Sequence, residues 1–137
     1  NTPQPLGVTP FVSGDPYEGA YLCAYIEGSI SMATHLASSK PDERRSSLKE
    51  LAAQIGIMVL AGVLFVDFHL DNILVDASKT FWWIDPELSY SRSYIRKRFW
   101  ARMERMHRRC NPGVLTEEEW TFFCEELAKT SGLRRIL

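Results

Sequence analysis

A polar segment, Val66 to Asn72 (VDFHLDN), stands directly behind the most apolar stretch of the chain, and this juxtaposition constrains the fold more than any other feature. Ahead of it runs Leu51 to Val66, interrupted by Gln54; behind it lies the short strand-forming piece Ile73 to Val75. Acid, imidazole and amide side chains crowded into one loop keep a fixed geometry only when rigid elements hold both ends. The apolar stretch falls short of the roughly 20 residues that cross a bilayer, so it reads as part of a buried helix. Pro41, followed by Asp42 and Glu43 at the positive end of the dipole, marks the start of that helix. Leu48, Leu51, Ala52, Ile55, Met58, Val59 and Gly62 follow at helical spacing. The pattern predicts a helix from Pro41 to about Leu64, apolar nearly all round in its second half and central to the core.

Behind the loop, a turn at Asp76 to Lys79 leads from the Ile73 to Val75 strand into a second strand, Thr80 to Ile84 (TFWWI), ended by Pro86. Trp82 and Trp83 alternate across that strand, so one faces the core and the other a groove. Upstream, Thr2 to Val12 suits an extended connector or edge strand, Ser13 to Gly19 is turn chemistry, and Ala20 to Glu27 (AYLCAYIE) reads as a buried strand completing a hairpin. Ser29 or Ser31 caps a short helix running to about Ser38. Downstream, Tyr94, Ile95, Phe99, Met103 and Met106 predict an amphipathic helix over Ser91 to Arg109, stopped by Asn111, Pro112 and Gly113. A capping box of Thr116 and Glu119 opens a last helix that buries Trp120, Phe123, Cys124 and Leu127. The expected class is α+β, mainly helical with short hairpins.

At 137 residues and 45% hydrophobic, the chain has room for one compact domain or part of one. Three cysteines, Cys23, Cys110 and Cys124, show no metal-ligand spacing and no disulfide framework, which suits a reducing, cytoplasmic setting. No signal peptide opens the sequence. The net charge of -1 conceals an asymmetry: eight of the sixteen Lys and Arg residues lie between Arg92 and Arg109, where Glu104 is the only acid. An anionic partner would meet that segment, either as a phosphate-bearing acceptor or as the anionic face of a membrane, the plainer alternative being a solvated helix face. Nucleic acid is not among the expected partners, because the chain as a whole is not basic and no aromatics are interleaved on that face.

The chemistry-bearing pattern is D-x-H-x-x-N-I-L followed by I-D: Asp67, His69 and Asn72 in the loop, then Asp85 where the second strand ends. Phosphoryl transfer needs a carboxylate that orients or deprotonates the attacking hydroxyl, and oxygen ligands that hold magnesium on the nucleotide phosphates. Asp67 and Asn72 keep the interval of the protein-kinase catalytic loop, and a hairpin behind them would return Asp85 beside Asn72. The plainer alternative is a polar turn whose side chains cap and cross-link the strands. His69 by itself suits loop support rather than proton transfer.

His69 two positions after Asp67, the opening TPQPLGV, the AYIEG stretch, IDPE after the second strand and the Arg-rich helix beyond it resemble the Kdo and heptose kinase family of lipopolysaccharide core assembly, over roughly Pro3 to Arg109. The resemblance implies a protein-kinase-like fold, and ATP and Mg2+ as cofactors. It makes Asp67 the catalytic base with His69 in its loop, Asn72 and Asp85 the metal ligands, and Tyr25, Ile26 and Glu27 the adenine-contacting hinge. It points Arg92, Arg96 and Arg98 at an anionic acceptor or membrane surface. It further implies a phosphotransferase acting on a sugar hydroxyl of lipopolysaccharide core, cytoplasmic and peripheral to the inner membrane. Phe65 and Val66 stand where such kinases often carry His or Tyr and Gly. No Gly-rich phosphate loop, strand Lys or partner Glu precedes the motif, so residues 1–28 are expected to be the end of an N-lobe and its hinge, and 29–137 the C-lobe. A chain of that extent, with its N-lobe largely absent, is expected to bind nucleotide poorly. Other readings are a protein Ser/Thr or other small-molecule kinase, and a truncated pseudokinase that acts as a binding module.

Overall fold

The computed structural model of the chain describes residues 1–10, 19–85, 88–90, 95–110 and 113–133. It opens with the expected antiparallel hairpin, β1 (Pro5–Pro10) against β2 (Gly19–Cys23). The second strand, expected to reach Glu27 as a buried element, stops at Cys23. The Ala24 N–H donates to the Gln4 carbonyl at 2.8 Å as the last rung, beyond which β1 offers no partner. Tyr25 is 86% exposed, and Gly28 turns the chain at φ 67.

A two-residue strand β3 (Ile30–Ser31) feeds α1 (Met32–Ser38), whose N-cap Ser31 accepts the Thr34 N–H through its hydroxyl at 3.2 Å. The next helix, α2 (Pro41–Leu60), starts with Pro41 in its first turn, as the sequence predicts. It ends short of the expected Leu64. Ala61 caps it, Gly62 at φ 80 reverses the chain in the left-handed region, and Val63–Phe65 becomes strand β4, paired antiparallel with β7 (Leu88–Tyr90). Apolar composition permitted either structure there, and the distant strand decides it. The second half of α2 is also not buried all round: Leu51, Ala52, Ile55 and Val59 are in the core, whereas Ile57 and Leu60 are 68% and 69% exposed.

Strands β5 (Ile73–Val75) and β6 (Phe81–Trp83) form the predicted hairpin, and β3 pairs with β5 to give the order β3-β5-β6. Asp76 builds the turn. Its Oδ1 accepts from the Ser78 and Thr80 N–H groups, each at 2.9 Å, and its Oδ2 from the Trp82 indole at 2.8 Å. The Ser78 hydroxyl, donating to Oδ1 at 2.7 Å, leads these bonds in holding the Asp76 carboxyl down at about 2. Trp83 turns inward and stacks on Phe65 with ring centroids 4.8 Å apart, and Phe68 leans on both. Trp82 is the half-buried member of the pair. Pro86, expected to end β6, lies outside the described residues.

The amphipathic helix α3 is described as Ile95–Arg109; its expected start at Ser91 and its seam residue Tyr94 fall outside the described residues. Phe99, Met103 and Met106 line its buried seam. α4 (Glu117–Ser131) carries the predicted capping box of Thr116 and Glu119 and buries Trp120, Phe123, Cys124 and Leu127. Helices α2 and α4 approach so closely at Gly56 that a Cβ there would lie 2.5 Å from the Thr130 hydroxyl. That hydroxyl donates to the Ala52 carbonyl at 3.0 Å. Arg44 of α2 supplies the other tie. Its guanidinium donates to Glu119 Oε1 and Oε2 at 2.5 and 2.6 Å, to the Val114 carbonyl at 2.7 Å, and to the Leu36 carbonyl of α1. Among the described residues no helix is long and apolar enough to cross a membrane.

Two stability predictions follow from this packing. Gly56→Ala should destabilise the chain by about 1–3 kcal/mol through overpacking against Thr130, read as a lower urea midpoint at unchanged slope. An unchanged or higher midpoint would mean that the helices are not in contact there. Arg44→Ala, which strips the Glu119 carboxylate of its counter-charge and removes a charged donor from two carbonyls, should cost about 3 kcal/mol. Arg44 holds the Glu119 carboxyl at about 2, below its ordinary 4.5. Its contribution is therefore full above pH 4.5 and is lost as pH falls from there toward 2. Urea melts across that window should show this slope in the native sequence and a flatter one in Glu119→Gln.

Candidate functional site

The polar loop owes its shape to the apolar residues threaded through it. Phe68 and Leu70 are buried, 4% and 3% exposed, so Asp67, His69 and Asp71, alternating with them, are turned toward solvent. A single 3-10 turn, Leu70–Asn72, closes the loop with the Asn72 N–H donating to the His69 carbonyl at 3.1 Å. Asp71 accepts from the Ser31 hydroxyl at 3.0 Å, which ties the loop to the first turn of α1. Asp71 is thus more than the turn residue its position suggests.

Asp67 is held at both oxygens. Its Oδ2 lies 3.0 Å from His69 Nε2, and its Oδ1 accepts from Arg109 Nη1 at 2.6 Å. The same Arg109 nitrogen is 3.0 Å from His69 Nε2. One ring nitrogen cannot both donate to the carboxylate and accept from the guanidinium, so the arrangement that satisfies all three groups has Nε2–H donating to Asp67 and Arg109 donating to the other oxygen. Desolvation works against charge on Asp67, but the His69 hydrogen bond and the charges of His69 and Arg109 outweigh it and keep the carboxyl below its ordinary range. The Asp67 side chain remains 46% exposed.

The backbone carries Asn72 and Asp85 to the mouth of the β5–β6 hairpin. Ile73 faces Trp83 in register, and the Ile84 N–H donates to the Asn72 carbonyl at 2.9 Å, which sets Asp85 one residue beyond Asn72's backbone partner. Asp85 is exposed and adopts φ 46, a left-handed conformation that Asp tolerates better than most side chains. Among the described residues no three His, Cys, Asp or Glu side chains converge as a metal cage. An amide oxygen and a carboxylate carried at the open end of one hairpin would suit a hard cation that takes most of its ligands from phosphates and water. Burial, with the charge of Asp71, pushes the thiol of Cys110, next to Arg109, up to about 11, which disfavours the thiolate.

The remaining predicted site residues lie elsewhere. Tyr25, Ile26 and Glu27 form the link between β2 and β3, with the Ile26 carbonyl accepting from the Ser29 hydroxyl at 2.8 Å. Arg98 is exposed on α3, Arg96 lies in that helix's first turn, and Arg92 is outside the described residues. Sequence reasoning missed Arg109 as a site residue, treating it as one more cation of the basic helix. The available signal was its position, three residues after the buried Met106 in the last turn of the helix.

Compared with known proteins, residues 1–126 match the family model described as the lipopolysaccharide kinase (Kdo/WaaP) family. No curated protein matches the chain. The matched span takes in the opening hairpin, the loop with Asp67, His69 and Asn72, Asp85, all of α3 and most of α4.

Proposed function

The chain belongs to the lipopolysaccharide kinase (Kdo/WaaP) family, and from that premise we propose that it transfers the γ-phosphoryl group of ATP to a sugar hydroxyl of lipopolysaccharide core within a protein-kinase-like fold. The observation that carries this reading is the Asp67 carboxylate, gripped at one oxygen by His69 and at the other by Arg109. The loop that bears it ends at Asn72, beside Asp85.

In this reading the acceptor hydroxyl hydrogen-bonds to Asp67, which takes its proton as the oxygen–phosphorus bond forms. The bond from the γ-phosphorus to the bridging oxygen breaks, and ADP leaves with that electron pair. The transition state of such transfers is loose, so the chain's work is positioning and charge compensation rather than strong base catalysis. A carboxylate kept ionised by its neighbours suits that task. Asn72 and Asp85 would hold magnesium, which supplies positive charge at the nucleotide phosphates when bound. Tyr25, Ile26 and Glu27 would line the adenine end. Arg92, Arg96 and Arg98 would meet the anionic acceptor, or the membrane surface in which it is embedded, at the cytoplasmic face of the inner membrane.

Asp67→Asn, made in the full reading frame that encodes this chain, is expected to lower phosphate transfer from ATP to purified lipopolysaccharide by about 10³-fold or more. Its circular dichroism should stay that of the native protein, because Asp67 is half-exposed and contributes little to the core. Transfer at the native rate would sink the assignment of Asp67 as the base.

A further inference from the structure

We propose that Arg109 is a positioning residue for the Asp67 base, reaching from the C-terminal turn of α3 to set the plane of the carboxylate. The inference rests on the reading of Asp67 given above.

His69 is only two residues from Asp67, so their hydrogen bond is local and moves with the loop. A carboxylate tethered at one oxygen can still rock about its Cβ–Cγ bond. Arg109 comes from 42 residues further along the chain and takes the second oxygen at 2.6 Å. With Oδ2 and Oδ1 both engaged, that rotation is stopped, and each oxygen keeps a lone pair for an incoming hydroxyl. The anchor itself is rigid. Met106, one turn earlier, is 1% exposed, and the Cys110 N–H donates to the Met106 and His107 carbonyls at 3.0 and 3.2 Å, closing the helix end around Arg109. The negative end of the helix dipole accounts for a cation there, as it does for Arg108. It does not account for the reach of Arg109 into the loop. An exposed ion pair of this kind adds little to stability, Asp67 and Arg109 being 46% and 47% exposed. Its consequence is geometric, and misplacing a catalytic group by about 1 Å can cost about 10²-fold in rate.

The test compares Arg109→Ala, Arg109→Lys and Asp67→Asn, singly and combined, in the full reading frame, with ATP and purified lipopolysaccharide as substrates. Arg109→Ala should lower kcat by about 10²-fold with KM for ATP and thermal midpoint unchanged, and Arg109→Lys should recover part of the loss. In an Asp67→Asn background, Arg109→Ala should lower kcat by less than about twofold, because the group it positions is gone. A readout without substrate is the ¹³C titration of the Asp67 carboxyl, whose midpoint should rise in Arg109→Ala and stay low in Arg109→Lys. Unchanged kcat and an unmoved titration in Arg109→Ala, with Asp67→Asn inactive, would overturn the role of Arg109 and leave the base assignment standing. Full activity of Asp67→Asn would instead overturn the base assignment, and this proposal with it.

Discussion

A guanidinium with only 12% of its side chain exposed must find its acceptors inside the protein, and Arg44 finds them on three separate elements. Glu119 at the start of α4 supplies the counter-charge, Val114 in the α3–α4 connection and Leu36 near the end of α1 supply carbonyls. Desolvating such a charge is costly, and only the full set of partners offsets it. The residues joined in this way are those that border the polar loop. Through Leu36, Arg44 fixes α1, whose first turn reaches Asp71 by way of Ser31. Through Val114 it fixes the chain just past α3, whose last turn delivers Arg109 to Asp67. One buried cation thereby sets both flanks of the candidate site without touching a residue of it.

The arginines of α3 show why charge alone does not define a role. Arg98, Arg105 and Arg108 are exposed, and cations on such a face influence an anionic surface by long-range attraction that salt screens. Arg109 differs by where the helix seam carries it: next to a carboxylate it can grip at hydrogen-bond distance. The same helix can present a diffuse basic face along its length and one directed cation at its C-terminal turn.

Much of this was legible in local sequence. The interval between Asp67 and Asn72, the Ile84-Asp85 pair and the turn at Asp76 predict a loop and hairpin that bring Asn72 and Asp85 together, and the capping box at Thr116 and Glu119 starts α4 where expected. The family resemblance, read from the same residues, agrees with the matched family. What was not legible depends on partners far along the chain. Val63 to Phe65 reads equally well as the end of an apolar helix; Gly62 hints at a stop, but β7 turns the segment into a strand. The exposure of Leu60, and of Ile57 in the wall of an open apolar cavity of about 390 Å³ also lined by Met58, Phe65 and Trp83, is likewise a tertiary fact. Arg109 reaches Asp67 only because α3 packs where it does.

The site's precision is in the end an apolar matter. Asp67 and His69 are too exposed for their mutual hydrogen bond to hold a loop in place by itself. Phe68 lies between them in sequence and beneath them in space, packed with Phe65 and Trp83. Phe65 ends β4 and Trp83 ends β6, so the aromatic cluster joins the strand entering the loop to the strand that carries Asp85 out of the hairpin. A shift of Asp67 relative to Asp85 would have to pull apart stacked rings that are less than a tenth exposed. Phe65, stacked on Trp83, therefore couples the strand that enters the loop to the strand that ends two residues before Asp85.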